Sequence, residues 1–138
     1  MQTDPKVVGP GWWSFLLMSA LESYQRHDLH PFHMAIDITK KHFPCDNCRN
    51  NFLKELQSVK YELFTDVMTL SSRSPVRCVF LLHNNVRRRL HQPEMSWDEL
   101  LRDIEKRCTT CSLDDVKSHS TPVQSVYRRG PPGYYRRN

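Results

Sequence analysis

The chain is poor in what β-structure needs. It has only 4 glycines in 138 residues and no run that alternates β-branched with polar residues, which argues against a hairpin-based or sheet-based fold. Long hydrophobic runs are also missing, so no segment is long enough to span a membrane. The stretch from Trp12 to Leu21 has the length of a signal-peptide core. Only Lys6 and the acidic Asp4 precede it as charges, and no clean small-residue cleavage site follows, so it reads as a buried helix. Acidic residues are absent from Ser118 to Asn138, where Arg128, Arg129, Arg136 and Arg137 carry +4. Residues 1–117 therefore hold only +1 of the total +5, and the pI of about 9.1 belongs mostly to the tail. A nucleic-acid-binding surface on the domain is not indicated.

Helix punctuation, by contrast, is frequent. Pro10 is expected to open a first helix running to about Arg26, with Trp13, Leu16, Leu17, Ala20 and Leu21 on one stripe. Pro31 opens a second, with Met34, Ile38 and His42 along a face. It ends before Phe43-Pro44, because a residue preceding proline avoids the helical region. A third begins within the Cys45-to-Cys48 motif, with Cys48, Phe52, Leu53 and Leu56 on one face, and reaches about Phe64. Ser74-Pro75 caps a fourth that extends to His91, and the capping box Ser96 to Glu99 opens a shorter fifth to about Arg107. The pattern predicts an all-α protein, a four-helix bundle plus a short fifth helix. The domain spans residues 1–111, followed by a basic tail, 112–138, that reads as disordered from its Ser, Pro, Gly and Arg content. Arginine with tyrosine there also suits RNA stacking or a partner motif.

Five cysteines without a secretory signal point to metal or redox chemistry. Cys45 and Cys48 stand at the head of a predicted helix, where the dipole and unpaired N–H groups favour a thiolate. Cys108 and Cys111 form a second such pair. Together the pairs offer four zinc ligands, but 59 residues separate them, where zinc ribbons hold about 15–20. The cysteines alone leave zinc and redox both open. Cys78, among Val76, Val79 and Leu82, reads as a buried unpaired thiol.

Three further elements resemble the Erv/ALR family of flavin-linked sulfhydryl oxidases. His83, Asn84, Val86, Leu90 and Pro93 match its His-Asn-x-Val signature. Gly9, Pro10 and Trp13 match its first-helix motif, and the Pro-Cys-x-x-Cys at Cys45 and Cys48 is followed by the aromatic Phe52. They occur in the family's order across residues 9 to 107. The chain departs from the pattern at Leu17 (usually His), Arg87 (usually Asn) and Gln92 (usually Lys). Trp97 is the only candidate for the late aromatic.

The resemblance implies an FAD-dependent thiol oxidase that makes disulfides in thiol-containing protein substrates. Electrons would pass through Cys45 and Cys48 to FAD and then to molecular oxygen, giving hydrogen peroxide. Cys45 is expected to be the more exposed cysteine and to meet substrate, with Cys48 facing the flavin. Trp13 and His83 are expected against the FAD rings, and Arg87, with Arg88 beside it, at its phosphates. Leu17, Tyr24, Asn84, Val86 and Leu90 complete the expected cofactor contacts, with Val86 and Leu90 packing inward. Cys108 and Cys111 are read as a shuttle or structural disulfide. The small domain looks most like the compact homodimeric forms encoded by large DNA viruses, acting in the host cytoplasm or the virion. Two rival readings are a zinc-stapled interaction module using both cysteine pairs and a binding protein acting through its tail.

Overall fold

The computed structural model describes the backbone of residues 5–107 and the side chains from 9 to 106. Cys108, Cys111 and the expected tail lie outside the described residues. Within them all regular structure is helical: α1 Pro5–Arg26, α2 His30–His42, α3 Asp46–Val59, α4 Pro75–Arg89 and α5 Trp97–Arg107, with a 3-10 turn at Tyr61–Leu63. The expected all-α fold, four longer helices and a shorter fifth, is what the chain adopts. None of these helices is long and apolar enough to cross a membrane.

The bounds depart from expectation at three places. α1 starts at Pro5, so Pro10 lies inside the helix rather than at its head. The same logic operates on the earlier proline, since the first turn has no intrahelical partner for an N–H. α3 stops at Val59, short of Phe64, because Lys60 takes a left-handed conformation (φ 57°) and returns its N–H to Gln57 and Leu56 carbonyls. α4 ends at Arg89, since Leu90 leaves helical geometry and His91 is left-handed (φ 58°). Local caps behave as their sequence predicts. The Ser74 hydroxyl accepts from the Arg77 N–H, and Ser96 and Glu99 exchange reciprocal hydrogen bonds of 2.8 and 3.1 Å.

α1 packs mainly against α2 and α4, and α3 against the same two. The α1 stripe Leu16, Leu17, Ala20 and Leu21 is buried as expected and continues to Tyr24. Each leucine removed from water there contributes roughly 2 kcal/mol. On α2 the expected face is reversed. Met34, Ile38 and His42 are exposed, while Phe32, Ala35, Ile36 and Thr39 are buried. Two hydrogen bonds from α1 side chains select that face: the Ser23 hydroxyl accepts from the Phe32 N–H at 2.9 Å, and Trp12 Nε1 donates to the Thr39 hydroxyl at 2.7 Å. On α3, Phe52 and Leu56 face the core and Leu53 faces solvent.

Candidate active site

The turn before α3 holds the cysteine pair. Cys45 is extended (φ −140°, ψ 115°) and acts as the N-cap, its Sγ accepting from the Cys48 N–H at 3.3 Å. Cys45 and Cys48 are joined as a disulfide, with Cα atoms 5.1 Å apart. The expected order of exposure is reversed. Cys45 is 4% exposed, whereas Cys48 is half-buried. An N-cap side chain folds back over the first turn to reach the N–H three residues on, which draws the Cys45 sulfur inward.

Several residues that the sequence did not single out brace this turn. The Phe43 carbonyl accepts the Cys45 N–H at 2.9 Å and also accepts from Arg49 Nη1. The other guanidinium nitrogen, Nη2, pairs with Asp46. Behind them Trp12 meets Phe43 edge-to-face, with ring centroids 4.9 Å apart. Trp12 is itself fixed by Thr39, whose hydroxyl donates to the Ala35 carbonyl at 2.7 Å. The Asp46/Arg49 spacing of three residues was a readable helical pair. The Phe43 carbonyl left no signal, because any residue supplies one.

A second cluster lies where α1 meets α4. Trp13 and His83 stack face to face, with centroids 4.3 Å apart and planes 9° from parallel, and both are half-buried. Val86 and Arg87, one turn beyond His83 on the same face, are also half-buried. The other expected contacts are disposed differently. Leu17 and Tyr24 are buried in the core cluster. Leu90 is 54% exposed, against the expectation that it packs inward, because the helix has already ended at Arg89. Asn84 is buried and committed at both ends of its amide. Oδ1 accepts from the Met95 N–H and Nδ2 donates to the Met95 carbonyl, each at 2.8 Å. Arg88 is held by Glu94 through two 2.9 Å bonds, and Arg89 by Glu55 at 2.8 Å. A Cβ built on Gly9 or Gly11 meets nothing within 4 Å, so protein packing requires neither glycine.

A sequence profile of the Erv1 / Alr family matches residues 10–108, most of the chain and all of the motif residues except Gly9. The chain belongs to the Erv1 / Alr family. No curated protein and no solved structure gives a match. Erv1 / Alr proteins are generally sulfhydryl oxidases with a Cys-x-x-Cys centre and typically bind FAD. The residues present fit such a group. A pair of parallel, half-buried rings offers a stacking surface, and a half-buried guanidinium one turn away suits a pyrophosphate. In the zinc-stapled alternative Cys45 and Cys48 would be thiolate ligands, but here their sulfurs are bonded to each other. Among the described residues no group of three or more His, Cys, Asp or Glu side chains is placed to hold a metal ion.

Proposed function

We propose that this chain is an FAD-dependent thiol oxidase that forms disulfides in protein substrates with oxygen as the terminal acceptor. The observation that carries the reading is the Cys45–Cys48 disulfide at the head of α3, in a chain of this family. In the first half-reaction a substrate thiolate attacks Cys45 Sγ, the Cys45–Cys48 bond breaks, and Cys48 leaves as a thiolate. The substrate's second thiolate then attacks the mixed disulfide, so the substrate departs oxidised and two electrons remain on the reduced pair. Because Cys45 is 4% exposed, the turn from Phe43 to Asp46 has to yield for this attack.

FAD, when bound, supplies the route by which the pair's two electrons reach oxygen, releasing hydrogen peroxide. Trp13 and His83 would carry its rings, and Val86 and Arg87 would line the same side, with Arg87 at the phosphates. Gly9 and Pro10 would leave room for close approach near the start of α1. Leu17, one turn from Trp13, and Tyr24, farther along α1, belong to the core that the helix packs on, and Asn84 keeps α4 joined to the segment before α5. We extend the reading to a homodimer of the compact viral type, with a catalytic domain to residue 111, a tail from 112, and Cys108–Cys111 as a shuttle or structural disulfide.

Purified protein is expected to show a flavin absorbance band and thiol-dependent oxygen consumption. Cys48→Ser, which leaves Cys45 without a disulfide bond for a substrate thiolate to break, should abolish the consumption. A colourless protein containing stoichiometric zinc, or unchanged turnover in the variant, would overturn the reading.

A further inference from the structure

Arg49 is not part of the motif that defines the cysteine pair, yet its guanidinium holds both sides of the turn that buries Cys45. One nitrogen donates to the Phe43 carbonyl, the same oxygen that accepts the Cys45 N–H, and the other pairs with Asp46, the next residue after Cys45. Pro44 and Cys45 are thus enclosed between two anchor points of a single side chain. The Arg49 side chain is only 29% exposed, while Asp46 is 64% exposed, so the guanidinium lies over the turn rather than out in solvent. The backbone adds ties of its own, from the Phe43 N–H to the Thr39 carbonyl and from the Arg49 N–H to the Cys45 carbonyl, but Pro44 has no N–H to donate, and Arg49 supplies the side-chain tie across the turn.

We propose that Arg49 is a positioning residue that latches the Phe43–Asp46 turn over Cys45 and so sets which thiols reach that sulfur. The inference rests on reading Cys45–Cys48 as a redox disulfide. A small thiol meets the turn closed and attacks Cys45 slowly. A protein substrate that offers the guanidinium a carboxylate or a backbone carbonyl of its own replaces the Phe43 tie while it presents its thiolate. Arg49 therefore discriminates by access and touches no reacting atom. The exchange itself balances without any other reagent. The incoming thiolate forms a bond to Cys45 Sγ, the Cys45–Cys48 bond breaks, and Cys48 carries the released charge.

The test uses glutathione on the oxidised full-length protein, with N-ethylmaleimide capture and peptide mass spectrometry to locate the adduct. Loss of one charge-assisted hydrogen bond should open the turn roughly tenfold more often. Arg49→Gln is thus expected to form the Cys45–glutathione adduct about tenfold faster than wild type. Arg49→Lys, which keeps the charge but not the fork, should fall between the two. Cys78, fully buried in the core, reports on the bundle as a whole and should stay unlabelled. An adduct rate at Cys45 that is unchanged or slower in Arg49→Gln overturns the latch. So does labelling of Cys78 that rises in step, since that means general loosening. The measurement involves no turnover, so a wild-type protein without oxygen consumption would defeat the proposed function and leave this result to be judged separately.

Discussion

Replacing Asn84 tests whether its buried amide joins α4 to the start of α5. In the folded protein Asn84 exchanges two hydrogen bonds of 2.8 Å with the backbone of Met95 and is 7% exposed. Each such bond contributes roughly 1 kcal/mol net, and the Met95 groups left behind are half-buried, so water satisfies them only in part. Asn84→Ala should therefore lose about 2–3 kcal/mol, equivalent to a fall in Tm of roughly 10 °C or more for a domain of this size. Asn84→Asp separates the two bonds. One oxygen still accepts from the Met95 N–H, but the other faces the Met95 carbonyl, which disfavours the ionised form and raises the folded-state pKa above the unfolded one. The sign follows from linkage: the variant's relative stability is greatest below the unfolded aspartate pKa and is lost as pH rises through the folded value. Urea denaturation followed by circular dichroism at pH 4.5 and pH 7 measures both effects. Asn84→Ala within about 0.5 kcal/mol of wild type, or Asn84→Asp less stable relative to wild type at pH 4.5 than at pH 7, would refute the tie.

Two further outcomes follow from groups within the bundle. Burial, with the nearby charge of Glu62, pushes the Cys78 thiol up to about 12. Folded protein should therefore leave Cys78 unalkylated at neutral pH and lose stability as pH climbs from about 9 toward 12, a slope that Cys78→Val should flatten in urea titrations. Partial burial works to raise the Asp66 carboxyl, but hydrogen bonds from the Thr69 and Ser71 hydroxyls and the Met68 and Thr69 N–H groups outweigh it and hold the group below 3.8. Its stabilisation is present above 3.8 and fades as pH falls below that, so Asp66→Asn should cost about 1–2 kcal/mol at pH 7 and progressively less in acid.

What the sequence made legible was local. The caps at Ser74 and Ser96 depend on neighbours three residues away, and both form as their spacing predicts. The face of α2 was not legible, because Phe32, Ile36 and Thr39 compete with Met34 and Ile38 as equally regular stripes. Periodicity has no means of choosing between them. Ser23 and Trp12 choose, and both belong to another helix. The site divides in the same way. The cysteine pair at a helix head was legible as a short motif that left zinc and redox both open, whereas Trp13 and His83 were expected only through the family resemblance, against FAD rings, and their stacking on each other joins residues far apart in the chain. The exposure of the two cysteines was misjudged for a geometric reason, since spacing says nothing about an N-cap side chain folding back over its own helix.

The consecutive tryptophans of α1 explain how two separate clusters stay in register. Successive residues on an α-helix point about 100° apart. Trp12 therefore turns toward α2 and Phe43, while Trp13 turns toward α4 and His83. α3, which carries the disulfide, packs mainly against α2 and α4. Its link to α1 runs through Trp12, Phe43 and the carbonyl that Cys45 and Arg49 share. A shift of α1 along its axis would displace the support of the cysteine turn and the stacked rings together. Under the proposed function, this shared dependence on adjacent residues of one helix would tie the position of the disulfide to that of a cofactor carried on the stacked rings.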